Sequence, residues 1–188
     1  MTRLNAPRML SYGLTSAVLM LPEPAWAGEI TYEISEVPPG HLIVTETVIV
    51  NAPVAELWAA YTTVEGYTAW GAPVADIDLR PGGLFRASFD EDAGLEGDAV
   101  NTLRIVNFVP ERVLTLKAEI SPAWPEILLK DAENLYNVIT FEAVDDQTSK
   151  LTSYGVGVTD SQEMRQLVSL GEQASIRRYQ PLIEYLER

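Results

Sequence analysis

The sequence has no cysteine, one histidine and little positive charge, and each scarcity removes a class of function. Without cysteine there are no disulfides, no thiolate metal sites and no lipid-modified cysteine anchor. With His41 as the sole imidazole, no His-Cys metal site, His-based serine triad or zinc-hydrolase motif can be assembled. His41 sits beside Pro38-Pro39-Gly40 at the head of a strand pattern, the place of a solvated turn residue. Thirteen Lys and Arg stand against 27 Asp and Glu, a net charge of -14 that repels phosphate backbones and anionic lipid surfaces. That balance argues against nucleic acid as a partner. Long apolar runs are missing as well: the run over 9–21 is shorter than the roughly 20 residues a membrane span requires, so no span is expected in the mature protein.

What is present begins with an export signal over 1–27. Arg3 and Arg8 form a positive start, 9–21 an apolar centre, and Ala25-Trp26-Ala27 a small-residue cleavage site with Gly28 as the expected first residue of the mature chain. An exported chain without cysteine fits a soluble protein of the bacterial periplasm better than a disulfide scaffold. Residues 28–188 carry no linker or repeat and are expected to form one domain.

Strand alternation recurs over 29–36, 41–50, 74–79, 84–90, 99–108, 113–120, 136–144 and 150–159. Two short helices interrupt it after the first strong strand. The first follows Asn51-Ala52-Pro53, with Asn51 as its cap and Val54, Leu57, Trp58 and Tyr61 on one face. The second opens on Thr62-x-x-Glu65, a capping-box pattern, and ends near Trp70. Residues 160–187 are expected to be a long amphipathic helix capped by Asp160 or Ser161, with a kink or a division caused by Pro181. Its face of Val168, Tyr179 and Ile183 is expected to meet Leu114, Leu116, Phe141 and Val156 in one core. The fold class is α+β, a sheet curled around the C-terminal helix.

The run Val48-x-Val50-Asn51-Ala52-Pro53, then Leu57-Trp58-x-Ala60, Thr62-Thr63-x-Glu65, Trp70 and Leu79-Arg80-Pro81-Gly82-Gly83-x-Phe85-Arg86, resembles the opening of the SRPBCC (START-like, helix-grip) superfamily. Its branch is similar to the C-terminal domain of the activator of the Hsp90 ATPase, and the likeness continues through Ile105-x-x-Phe108-x-Pro110-Glu111-Arg112-x-Leu114 into the last helix. The resemblance implies a curved antiparallel sheet gripping a C-terminal helix, with a hydrophobic cavity between them. It departs at Gly171-Glu172, where related proteins often carry Gly-Trp. An export signal would also separate this chain from cytosolic Hsp90.

Among Trp58, Tyr61, Tyr67, Trp70, Phe85, Phe89, Tyr136, Phe141, Tyr154 and Tyr179, most are core by composition alone. Given the cavity that the resemblance implies, Tyr67, Trp70, Phe85, Phe89, Leu116, Tyr136, Tyr154 and Tyr179 are the expected ligand-binding residues. Arg86 and Arg104 are candidates for an anionic end of a ligand, set against ordinary pairing with the many carboxylates. Trp70 and the long 122–135 connection are expected at the cavity mouth.

No catalytic residue, metal site or cofactor is assigned. The acidic stretch 90–98 lacks the glycine that a calcium loop needs at its sixth place, where Leu95 stands. Gly155-Val156-Gly157 lies in a strand pattern and reads as a bend or a point of close helix approach, not a dinucleotide loop. The function expected is the binding of a small hydrophobic or amphipathic molecule. The alternatives are an enzyme of the polyketide cyclase-like type in the same cavity, or an interaction module whose cavity is filled by its own side chains.

Overall fold

Residue alternation in the sequence becomes an inner and an outer sheet face in the computed structural model, which describes residues 28–92, 94–96, 100–119 and 126–188. The expected leader over 1–27 lies outside the described residues. Eight strands form one antiparallel sheet: β1 (Ile30–Val37), β2 (His41–Val50), β3 (Val74–Ile77), β4 (Leu84–Ser88), β5 (Asn101–Val109), β6 (Val113–Ala118), β7 (Tyr136–Ala143) and β8 (Ser149–Thr159). Their spatial order is β1-β2-β8-β7-β6-β5-β4-β3. His41 is exposed at the start of β2, as its turn position predicts.

The chain leaves the sheet at β2, next to one edge, and re-enters at β3, the other edge. Helices α1 (Val54–Thr62) and α2 (Val64–Thr68) make that crossing, so the sheet's order carries their aromatic residues over its inner face. Two register shifts, at Leu42/Val44 and at Ile105/Asn107, bend the strands and increase their twist. The inner face is in register across four strands: Glu46 opposes Ser153, Ser153 opposes Ile139, and Ile139 opposes Leu114. The next row runs Val48, Leu151 and Phe141.

The C-terminal segment is two helices, α4 (Gln162–Val168) and α5 (Gly171–Leu186), and the division falls at Ser169-Leu170, not at Pro181. The cause lies on β1. The Tyr32 hydroxyl donates to the Val168 carbonyl at 2.6 Å, satisfying one of the acceptors that a helix end leaves open. A Cβ at position 171 would collide with that same Tyr32 ring, so glycine is required where the strand meets the start of α5. Pro181 stays inside α5, depriving the Arg177 carbonyl of its helical donor without ending the helix.

Capping follows the expected chemistry at one site and shifts at two. Ser161 caps α4, accepting from the Met164 N–H at 3.1 Å. At α2 the cap is Thr63, which accepts from the Gly66 N–H at 3.0 Å, while Thr62 turns back to the Trp58 carbonyl. Asn51 does not cap α1; its N–H donates to the Glu187 carboxylate at 3.2 Å and ties the entry of α1 to the end of α5.

The main core gathers Val48, Leu57, Ile105, Leu114, Leu116, Phe141, Leu151, Tyr179, Leu182 and Ile183 between sheet, α1 and α5. Two expected members are elsewhere. Val168 belongs to a second cluster with Leu42, Val158 and Met164, because the break before α5 turns the α4 face toward the β2–β8 end. Val156 is half-buried and belongs to neither cluster, since its strand parity is opposite to that of Leu151 and Ser153.

Helix α3 (Glu126–Asp131) and a 3-10 turn, Ala132–Asn134, close the second cluster through Ile127, Leu128 and Leu135. Asp131 fixes them to β8, accepting from the Thr159 N–H at 2.9 Å and from its hydroxyl at 2.6 Å. Gly157 adopts φ +86° where the Asn134 carbonyl presses on β8, leaving no room for a side chain. Gly157 therefore serves a close approach by this connection and not by the long helix. Gly155 pairs with Val44 beside the β2 bulge.

Candidate functional site

A cavity of about 630 Å³ lies between the inner sheet face and α5. Its walls follow from the topology. The α1–α2 crossing contributes Tyr61, Tyr67, Trp70 and Gly71. The strands supply a floor of Phe85, Leu103, Leu116 and Ile139 with the amides of Asn101 and Asn137, and α5 closes it with Ala174, Arg177, Arg178, Tyr179 and Pro181. Phe89 stands at the rim, 73% exposed although it belongs to the lining.

One end is aromatic. Tyr67 meets Phe85 edge-on with centroids 4.7 Å apart, and Trp70 lies 5.0 Å from Tyr61 and 5.2 Å from Tyr67. The Trp70 indole N–H donates to the Ala60 carbonyl at 2.9 Å, so the ring is fixed by its polar tip while its face remains on the cavity. Tyr61 continues inward to Phe141 at 5.7 Å, joining this wall to the core.

Behind the lining residues Arg178 and Tyr179 lies a buried polar cluster centred on Glu46, which is not itself part of the lining. Glu46, on the inner face of β2, accepts from Arg178 at 2.9 Å, from the Tyr179 hydroxyl at 3.1 Å and from Ser153 at 3.4 Å. Ser153 also lies 3.2 Å from the Asn137 side-chain oxygen, so its single proton serves one of two acceptors. Burial, followed by the charge of Glu46, pushes the Tyr179 hydroxyl up to about 12. Burial also raises Tyr61 well above its ordinary value, reinforced by its hydrogen bond to Tyr179. Burial is the strongest influence on Arg178 and works against its charge, but the Glu46 carboxylate together with the Tyr179 and Tyr61 hydroxyls outweighs it, so the guanidinium is held above its ordinary value. At neutral pH these tyrosines are donors and not bases.

Of the eight residues expected to bind a ligand, Tyr67, Trp70, Phe85, Phe89, Leu116 and Tyr179 come together on this cavity. Tyr136 and Tyr154 do not. Each is one place out of phase with inward neighbours, Tyr136 with Asn137 and Ile139, and Tyr154 with Ser153, so both lie on the outer face. Lys117 sits 5.7 Å over the Tyr136 ring there. Arg86 and Arg104 also face outward and pair with Asp76 and Glu119. The described part of the 122–135 connection packs in the second cluster, so it does not stand at the mouth beside Trp70.

Sequence reasoning passed over Tyr61 as a cavity residue and missed Asn101, Asn137, Arg177 and Arg178 altogether. Asn137 carried a usable signal, since it is in phase with Ile139 and Phe141 on β7. The arginine pair had none: adjacent cations near a helix end read equally well as complements of the helix dipole.

The sequence profile of the activator of Hsp90 ATPase homolog 1-like proteins matches residues 51–184. No curated protein matches the chain in sequence. Among solved structures, CalU16 from Micromonospora echinospora is similar at 21% identity, covering 84% of this chain and 85% of its own, with a TM-score of 0.55. The Aha1 dimer from Colwellia psychrerythraea gives 12% identity over 77% of this chain and 96% of its own, with a TM-score of 0.57. A protein from Rhodobacter sphaeroides gives 17% identity over 83% and 97%, with a TM-score of 0.57. At these identities the structural likeness is one of fold.

Proposed function

The chain belongs to the activator of Hsp90 ATPase homolog 1-like family, with the helix-grip fold of the SRPBCC superfamily, and from that premise we propose that it is an exported protein that holds a small hydrophobic or amphipathic molecule between sheet and α5. Helix-grip folds of this kind commonly bind hydrophobic ligands. The observation that carries the reading is the open cavity of about 630 Å³, within the size range of small-molecule sites and walled by fixed aromatic rings. A cavity filled by its own side chains would have favoured an interaction module.

Chemistry in the same cavity would run through Tyr179, on its lining, or Glu46, behind it. Tyr179 is pushed up to about 12 and Glu46 is saturated by Arg178, Tyr179 and Ser153, an arrangement that supports holding a ligand and not abstracting its protons. Export rests on the composition of 1–27. N-terminal sequencing of the secreted fraction should find a start at or near Gly28, and a start at Met1 or Thr2 would remove that part of the proposal.

Titration with fatty acids, isoprenoids and aromatic metabolites, followed by tryptophan emission, tests the binding. Trp70 faces the cavity, so micromolar saturation with an emission change is the expected result. No saturation by any member of the panel would refute it.

A further inference from the structure

The chain carries more than twice as many acidic as basic residues, yet the cavity lining inverts that sign. Its charged members are Arg177 and Arg178, and no Asp or Glu lines it among the described residues. The two arginines are not equivalent. Arg178 is engaged by Glu46 at 2.9 Å. Arg177 has no ion pair or hydrogen-bonded side chain among the described residues, and its helical neighbours at three and four places, Gln173, Ala174, Gln180 and Pro181, are uncharged.

An unpaired guanidinium on a cavity wall, in a protein rich in carboxylates that could have paired it, is placed for an oxyanion that arrives from outside. Arg presents a planar fork of donors, suited to a carboxylate or sulfonate head, and such bonds are about twice as strong as neutral ones. The amide of Asn101 lies on the same lining as a further polar group. The aromatic group of Tyr67, Trp70 and Phe85 on the same lining is suited to a flat apolar body. We propose that the ligand of this cavity is an anionic amphiphile, its oxyanion head held by Arg177 with Arg178 behind it and its apolar or aromatic body on the aromatic end. This inference rests on the binding function proposed above and specifies the ligand's charge.

Two fluorescent probes that share an N-phenylnaphthylamine body separate the claims: 1-anilinonaphthalene-8-sulfonate, which is anionic, and N-phenyl-1-naphthylamine, which is neutral. The full chain is expected to bind the anionic probe about tenfold more tightly, the factor of one charge-assisted contact. Arg177→Gln should bring the two affinities close to parity by weakening the anionic probe alone, and Arg177→Lys should restore part of the preference. Arg177 is exposed and has no ion-pair partner among the described residues, so its replacement leaves the fold intact, which circular dichroism and thermal unfolding verify. Equal affinities in the unaltered protein, or a preference that survives Arg177→Gln, overturn the proposal while leaving the binding function standing. Binding of neither probe overturns both.

Discussion

The aromatic end of the cavity and the polar cluster behind its Arg178 and Tyr179 wall are built by opposite means. The aromatic end is assembled locally: Tyr61, Tyr67 and Trp70 fall within ten consecutive residues of the α1–α2 crossing and reach Phe85 on the neighbouring hairpin. The polar cluster is assembled from a distance, since Glu46 meets Ser153, Arg178 and Tyr179 across sequence separations of 107, 132 and 133 residues. The comparison teaches that shape and charge in this site have different origins. Local packing gives a rigid apolar slot, whereas the charged cluster exists only when β2, β8 and α5 have all docked.

The sharpest way to break that contrast is to remove the half-exposed partner of buried Glu46. Arg178→Leu should cost about 2 kcal/mol: Glu46 is left buried with its charge uncompensated, but Arg178 is itself half exposed, so the loss falls below that of a fully buried pair. Glu46→Leu combined with Arg178→Leu should recover most of that loss, since replacing both partners by apolar groups is often nearly neutral. Urea unfolding of the single and double variants measures both; a double variant no more stable than Arg178→Leu would show that the pair is not what holds the polar cluster together.

The aromatic end predicts an effect on affinity more than on folding. Trp70→Ala should weaken an amphipathic ligand by about 1–3 kcal/mol, the scale of losing one packed aromatic anchor. Calorimetric titration reads this directly, and unchanged affinity would remove Trp70 from the site.

A smaller effect belongs to Tyr179→Phe, about 1 kcal/mol at neutral pH for one hydrogen bond to Glu46. The pH dependence is more diagnostic. In the folded protein this hydroxyl is raised to about 12 from an ordinary 10.0, so its contribution is complete below pH 10 and is lost as pH rises toward 12. Stability measured over that window should fall less steeply in Tyr179→Phe than in the unaltered protein. Equal slopes would contradict the burial of this group.

Smallest of all is Arg104→Ala, a change on the outer face. Its pair with Glu119 at 2.6 Å is solvent-exposed, and its loss should shift stability by less than about 1 kcal/mol and leave ligand binding unchanged.

How much could be read from the sequence follows the same division. Strand β2 and the Pro53 helix start were legible because period-two and period-3.6 patterns are local, and the resemblance gave the helix-grip architecture. The break at Ser169-Leu170 was not, because its cause is Tyr32, on a strand 136 residues from the Val168 carbonyl that it satisfies. Tyr136 and Tyr154 were misplaced for a simpler reason. They were chosen by residue type, and the strand parity of Asn137 and Ser153 would have turned both outward. Arg86 and Arg104 were chosen by charge, and the cations that reach the cavity sit on α5 instead.

The central claim is that the space between sheet and α5 is occupied in the working protein. Native mass spectrometry of the protein purified from the producing cell tests it most directly, with Ala174→Trp as the comparison, because a large side chain on that half-buried α5 position would obstruct the cavity. The account predicts an adduct released on denaturation and absent from Ala174→Trp. An apo mass alone, with no adduct formed on adding a panel of amphiphiles, would contradict it.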